Sequence, residues 1–307
     1  MHGLCTLLAV VLALNVVAKY KFEKFKDMKT SDYKSFAYLE NGDINFTRYE
    51  TIKSTSTLDS GSYKLNYEGY PKNQIVLKSD SDFETTKTHN FSDKEKIDNL
   101  YCSFFNKSVI NKIEGLGFCH KIGVLLHGIE GTGKSTIIKY YCSKAITEHN
   151  ALVFHILCKD DNFFNCWEFI QGVRRIQNNP IIIVFDEFDQ QMERNEAYLK
   201  TVIDGNMSIS NCIFFAATNY LDKIPKAMKD RPSRFKYCLN IEGMQVKADI
   251  ENIIKPILND SLSNEEISAI SEELKGKTLD YIKQFCFDKL MSIKHFGNKN
   301  RKIGFND

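Results

Sequence analysis

The chain has 307 residues, 43% of them hydrophobic and 26% charged, a globular composition that excludes collagen, low-complexity disorder and a disulfide-stapled miniprotein. Lysine plus arginine number 41 against 39 aspartate plus glutamate, so a formal net charge of +2 provides no global field for drawing in nucleic acid. The nine cysteines form no C-x-x-C pair and no cysteine–histidine cluster at zinc spacing, and read as reduced thiols of a cytosol-like compartment.

In chain order, residues 3–18 come first: an uncharged run of mostly Leu, Val and Ala, followed by Lys19, Lys21, Lys24 and Lys26. As a helix it rises about 24 Å, short of the ~30 Å hydrocarbon core, although Tyr20, Phe22 and snorkelling lysines extend it. Positive charge after the run favours an uncleaved membrane anchor with its C-terminal side inside. A cleaved signal, which lacks the usual basic stretch in front, and a buried element are the alternatives. Residues 1–26 are therefore read as an apolar segment with a basic flank.

Residues 27–90 are rich in Tyr, Thr, Ser, Asn and Asp, with short alternating runs at 33–39, 44–49, 62–67 and 74–77 separated by turn signals. This pattern predicts antiparallel hairpins, hence a small β-rich N-terminal module. At residue 91 the texture changes. Ser92 and Glu95 have capping-box spacing and predict a helix through about Lys112. Nearly continuous apolar runs at 122–126, 152–157, 181–185 and 213–217 then alternate with helical stretches, the pattern of parallel strands covered on both faces. The expected fold is α/β, a doubly wound parallel sheet over 91–243. Residues 244–307, helical at 246–258, 264–274 and 279–293, form a small helical lid domain.

Immediately after the first core strand stands Gly128-Ile129-Glu130-Gly131-Thr132-Gly133-Lys134-Ser135, a complete G-x-x-x-x-G-K-[ST] phosphate loop, and a helix continues through Thr136. Its glycines let backbone N–H groups turn inward around phosphate oxygens, Lys134 reaches the β- and γ-phosphates, and Ser135 suits Mg2+. Gly276-Lys277-Thr278 imitates the end of this motif but has Ser271 where the first glycine belongs, and reads as a turn between helices. The strand at 181–185 ends in Asp186 and Glu187: Asp186 is placed to hold Mg2+ through water, and Glu187 suits the base that polarises an attacking water. Asp189 reads as a surface acid. The next core strand ends in Asn219, which contacts a γ-phosphate or lytic water if that strand lies between the other two.

Phosphate loop, Asp-Glu, Ala-Thr-Asn and Arg231-Pro232-Ser233-Arg234-Phe235 follow one another in the order of the AAA ATPase superfamily, which residues 91–290 resemble. The resemblance implies ATP and Mg2+ as cofactors, hydrolysis, and a homo-oligomeric ring, commonly a hexamer, in which Arg231 and Arg234 reach the neighbouring subunit's γ-phosphate. Two of the chain's seven arginines stand in this segment. Ile129-Glu130 departs from the family's Pro-Pro, and the acid that precedes the arginines in the family is missing near Pro225. Apolar segment, β module and single ATPase module in that order, with the stretches 104–105 and 123–128, are also similar to the membrane-anchored chaperones that mature respiratory complex III. That likeness implies a protein client and a membrane-associated protein with its ATPase in the cytosol or an equivalent ATP-containing compartment; a soluble cytoplasmic protein is the alternative. A nucleic-acid-remodelling loader and a nucleotide-regulated scaffold with little turnover are the competing functions, the former hinted at only by the basic residues 298–302. If the ring threads polypeptide, Phe163, Phe164 or Trp167 are candidates for a pore loop, the core being their other place.

Overall fold

A computed structural model describes residues 57–68, 74–80, 91, 93–157, 163–205, 207–258 and 261–295. Seven strands form one sheet: β1 (Gly61–Glu68), β2 (Gln74–Ser79), β3 (Lys121–His127), β4 (Leu152–Ile156), β5 (Ile181–Phe185), β6 (Cys212–Thr218) and β7 (Tyr237–Asn240), in the order β2-β1-β4-β5-β6-β3-β7. Every pairing is parallel except β1 with β2. The four predicted core strands are all present. Along β5 the side chains alternate between two cores: Ile181, Ile183 and Phe185 enter one, Ile182 and Val184 the other. That alternation explains an unbroken apolar run, because neither face of the strand meets water.

The helices α1 (Lys94–Phe104), α2 (Lys107–Gly115), α3 (Lys134–His149), α4 (Phe163–Ile176), α5 (Phe188–Asp204) and the short α6 (Lys226–Lys229) accompany this sheet. The single helix expected from residue 92 to 112 is two. α1 begins after Asp93, which makes no side-chain cap; Ser92, half of the expected capping box, lies outside the described residues. The break comes at Asn106, whose side chain accepts from the N–H groups of Ser108 and Val109 and so starts α2. α1 buries Ile97, Tyr101 and Phe104, and Tyr141 of α3 donates a 2.9 Å hydrogen bond to Asp98.

The β1–β2 hairpin is present but does not stand apart as a module. β1 lies beside β4 with Gly61 opposite Leu152 and Leu65 opposite Ile156, extending the nucleotide sheet. Physical chemistry drives the docking: Tyr63, Leu65 and Leu77 form an apolar face that continues the core containing Phe154 and Trp167. His155 Nε2 and Ser62 Oγ are 3.2 Å apart, and the Gln177 side chain bonds both the N–H and the C=O of Leu58. The predicted strands at 33–39 and 44–49, the apolar run at 3–18 and the basic residues 298–302 lie outside the described residues. Among the described residues, no helix is long and apolar enough to cross a membrane.

Beyond β7, α7 (Lys247–Leu258), α8 (Asn264–Glu273) and α9 (Leu279–His295) enclose a third core of Ile250, Ile254, Leu258, Ile267, Ile282 and Cys286. Here a true capping box occurs, with Ser263 and Glu266 each satisfying the other's backbone N–H, at about 1 kcal/mol for the cap. Cysteines 102, 119, 142, 212, 238 and 286 are free, whereas Cys166 is disulfide-bonded, a departure from the expectation that all nine are reduced.

Candidate nucleotide site

The phosphate loop leaves the C-terminal end of β3 and closes onto α3, which starts at Lys134. Gly128, Gly131 and Gly133 have φ of +148°, +76° and +92°, values that L side chains rarely adopt. A Cβ on Gly128 would also collide with the carbonyl oxygen of Ile241. Lys134 is buried, and its ammonium donates to the carbonyl oxygens of Gly128 and Ile129 at 2.8 Å each and to Thr132 Oγ1 at 3.4 Å. Thr132 Oγ1 itself donates to Ile129 O. Burial lowers the Lys134 pKa, and the Glu130 carboxylate opposes that shift. A phosphate seated in the loop would offer the ammonium a charge-assisted partner stronger than either carbonyl.

Ser135 is the second residue of α3, and its Oγ lies 3.4 Å from Asp186 Oδ1 at the end of β5. A hydroxyl and a carboxylate, both exposed, are the hard oxygen donors that Mg2+ takes alongside water and phosphate. Thr136, one residue further into the first turn of α3, is half-buried. Glu187 follows at φ 50°, ψ 51°, a left-handed conformation that costs a non-glycine residue about 1–2 kcal/mol. It is held there by Phe188, fully buried, and by the N–H of Gln190 donating to Glu187 O at 2.9 Å. The strained turn leaves the Glu187 carboxylate exposed beside Asp186 rather than folded back along the sheet.

β6 lies between β3 and β5, so Asn219, exposed at its end, emerges between the phosphate loop and the Asp186-Glu187 pair. Thr218, overlooked in the sequence, and Asp189, read there as a surface acid, fix that corner. Thr218 Oγ1 donates to Asp189 Oδ1 at 2.6 Å and accepts from the N–H of Tyr220 at 3.0 Å. Asp189 is thus a tie between α5 and the Asn219 turn rather than a solvated surface acid. Its sequence signal was an acid at the second position of the helix that follows a strand-end Asp-Glu.

The arginines lie at the other end of the sheet. The backbone of Arg234 packs against Gly123, where a Cβ would strike the Arg234 carbonyl oxygen. Five residue steps lead from Gly123 to Gly128, roughly 16 Å at ~3.3 Å per residue, more than an arginine side chain spans. Arg231 is 60% exposed, with Nη1 3.2 Å from Asp204 Oδ2. Arg234 differs from the sequence expectation: it is 8% exposed, donates to Ala227 O at 2.8 Å and lies 3.6 Å from the same Asp204. Of the two, only Arg231 is exposed, although it too is held by Asp204.

The C-terminal helical region touches the loop directly. The N–H of Asp280 donates to Gly131 O at 3.1 Å, and Leu279 and Thr278 fill the space over Gly133 and Gly131. Gly276-Lys277-Thr278 is a turn, as expected, with Gly276 at φ +80° and hydrogen bonds to Met244 in both directions. Among the pore candidates, Phe163 and Trp167 are fully buried in α4, Trp167 donating to Met207 O at 3.0 Å; they are core. Phe164 is partly exposed against Tyr198.

Comparison with known proteins bears on the same region. Residues 124–242 match the family model described as ATPase family associated with various cellular activities (AAA). A proteasome-activating nucleotidase of Saccharolobus islandicus is 28% identical over 201 residues, covering 58% of this chain and 49% of that protein. The ATPase family gene 2 protein of Schizosaccharomyces pombe is 30% identical over 52% of this chain and 21% of its own length. The vesicular-fusion protein SEC18 of Saccharomyces cerevisiae is 24% identical over 73% of this chain and 34% of its own. The chain thus spans about half the length, or less, of the curated relatives it matches.

Proposed function

This chain belongs to the AAA ATPase superfamily, and from that membership we propose that it hydrolyses ATP as one subunit of a ring and uses the cycle to remodel a protein client. The observation that carries the proposal is the meeting of Ser135, Asp186 and Glu187 beside the phosphate loop. In this reading the backbone N–H groups of 131–136 and the ammonium of Lys134 hold the β- and γ-phosphates. Ser135 and Asp186 would hold Mg2+, which would supply neutralisation of the phosphate charge. Glu187 accepts a proton from the attacking water as its oxygen approaches the γ-phosphorus, and Asn219 orients that water. The leaving group is ADP.

Completion of the site requires a second subunit. Arg231 stands too far along β3 to serve its own nucleotide, and a trans arginine in nucleotide hydrolases is worth about 10³–10⁵ in rate. The names of two relatives, one a proteasome-activating nucleotidase and one a vesicular-fusion protein, favour a protein client. The near-neutral charge does as well. Glu187→Gln is expected to bind ATP with Mg2+ and release almost no phosphate, and Lys134→Ala to bind ATP weakly; ordinary turnover in Glu187→Gln sinks the assignment. Stimulation of the wild-type ATPase by an unfolded protein supports the client class, whereas stimulation by DNA with steep salt dependence replaces it with a nucleic-acid motor.

A further inference from the structure

α5 carries a line of core residues at alternating steps of four and three: Phe188, Met192, Asn195, Leu199 and Val202. All but Asn195 are apolar members of the core on one side of the sheet, and Asn195, at 3% exposure, is buried in the same line. The helix breaks at that residue, with φ −128° and ψ 24°. Sharp bends in helices have identifiable causes, chiefly proline, glycine or a group inserted into the backbone ladder, and α5 contains neither proline nor glycine. Asn195 itself is left as the cause.

A second amide belongs to the same break. Gln191 stands one turn earlier, at the i to i+4 spacing where glutamine and asparagine side chains meet and hydrogen-bond on a regular helix. Here they do not: Gln191 Oε1 and Asn195 Nδ2 are both buried, and neither has a hydrogen-bond partner among the described residues. A buried acceptor and a buried donor left unpaired each lower stability. Gln191 also reaches the proposed catalytic end, since its N–H donates to Glu187 O at 3.3 Å. Both ends of α5 are fixed. Phe188 packs on Phe185 and Phe235, with ring centroids 5.6 and 4.9 Å apart, and Asp204 is held by Lys121, Arg231 and Arg234. The break lets the start of the helix tilt to seat Phe188 while the rest keeps its grip at Asp204.

We propose that Gln191 and Asn195 are positioning residues for Glu187: the unpaired amides keep α5 broken, and the break sets the tilt from which the Glu187 carboxylate is aimed. The proposal rests on the reading of Glu187 as the base. A leucine at 195 has the branching of asparagine and a higher helix propensity, and it would complete the apolar line, so it favours an unbroken α5. Unpaired polar groups inside a core run against stability and are retained where they serve a site; these two lie within about two turns of the carboxylate.

The test measures stability and turnover on the same full-chain variants. Asn195→Leu is expected to raise the melting temperature by about 2–4 °C and to lower kcat about tenfold or more, while KM for ATP changes less than about twofold. Asn195→Ala guards against overpacking, and is expected to melt no lower than the parent with the same loss of kcat. Gln191→Leu lowers kcat too, and the double variant with Asn195→Leu is no slower than the slower single, because both act through one break. Unchanged kcat in both Asn195 variants overturns the proposal. A melting temperature lowered in both overturns it as well, because it marks an ordinary structural amide, and so do Gln191 and Asn195 effects that multiply. Ordinary turnover in Glu187→Gln strikes the base reading instead, whereas an inactive Glu187→Gln beside fully active Asn195 variants strikes the positioning role alone.

Discussion

Thr218 does more than end a strand. By bonding Asp189 and the N–H of Tyr220 it joins three segments, and it delivers Asn219 at a fixed place. Thr218→Val keeps the shape but leaves a half-buried carboxylate oxygen and an N–H without this partner, so a loss of about 1 kcal/mol in denaturant unfolding is expected, together with a lower kcat at little changed ATP affinity. Gly128→Ala faces both an unfavourable φ and the Ile241 carbonyl. A fall of about 2 kcal/mol or more in unfolding free energy is expected there, and an unaltered melting curve would show that the loop has room to shift. His155 brings pH into play: burial lowers its pKa below the ordinary 6.5, with Asp186 and Asp80 acting the other way. Between the two pKa values the unfolded chain binds the proton that the folded chain refuses. Stability therefore declines as pH falls through 6.5 and levels off once the folded-state pKa is passed. Urea titrations from pH 7.5 to 5.5 should show a shallower decline in His155→Gln than in the parent, with His120 and His127, also lowered by burial, supplying the remainder.

At the scale of elements, α5 starts at Phe188, immediately after Glu187, and ends at Asp204, which grips Arg231. One helix of roughly 26 Å thus has the proposed base at one end and the outgoing arginine at the other. Near its middle, Asn195 is buried and departs from helical φ/ψ, so the rod carries a bend. Such an element can relate the state of one site to the arginine offered to the next. How much of this the sequence discloses depends on how far each signal reaches. β3 through β6 were legible as short apolar runs, because burial on both faces demands apolar residues at every position. β7 escaped notice: Tyr237 and Cys238 are only half-buried, Asn240 is exposed, and four mixed residues show no period. The docking of β1 onto β4 was invisible because Gly61 and Leu152 meet across ninety intervening positions with no local pattern to announce it. The phosphate loop and the proposed roles of Ser135, Asp186 and Glu187 follow from motif spacing, whereas the Thr218–Asp189 bond and the inward turn of Arg234 depend on tertiary contacts alone.

For the whole molecule, the separation of Arg231 from its own phosphate loop makes a sharp prediction about mixtures. Arg231→Ala retains a nucleotide site without an arginine to offer, and Glu187→Gln retains the arginine without a working base. Each alone should be nearly inactive, and mixing them should restore turnover at those sites where an intact base faces an intact arginine; additive, near-zero rates would mean that the arginine does not act between subunits. The extended sheet has a consequence of another kind. Because β1 runs parallel to β4, and β4 is the immediate neighbour of the strand bearing Asp186, a pull on the chain ahead of residue 57 enters the nucleotide sheet along the strand axis. Such a load is shared in shear by five consecutive residue pairs, from Gly61 with Leu152 to Leu65 with Ile156, instead of unzipping them singly. Whatever the preceding segment holds, the hairpin is a mechanical clamp through which tension meets the motor only two strands from its proposed catalytic carboxylates.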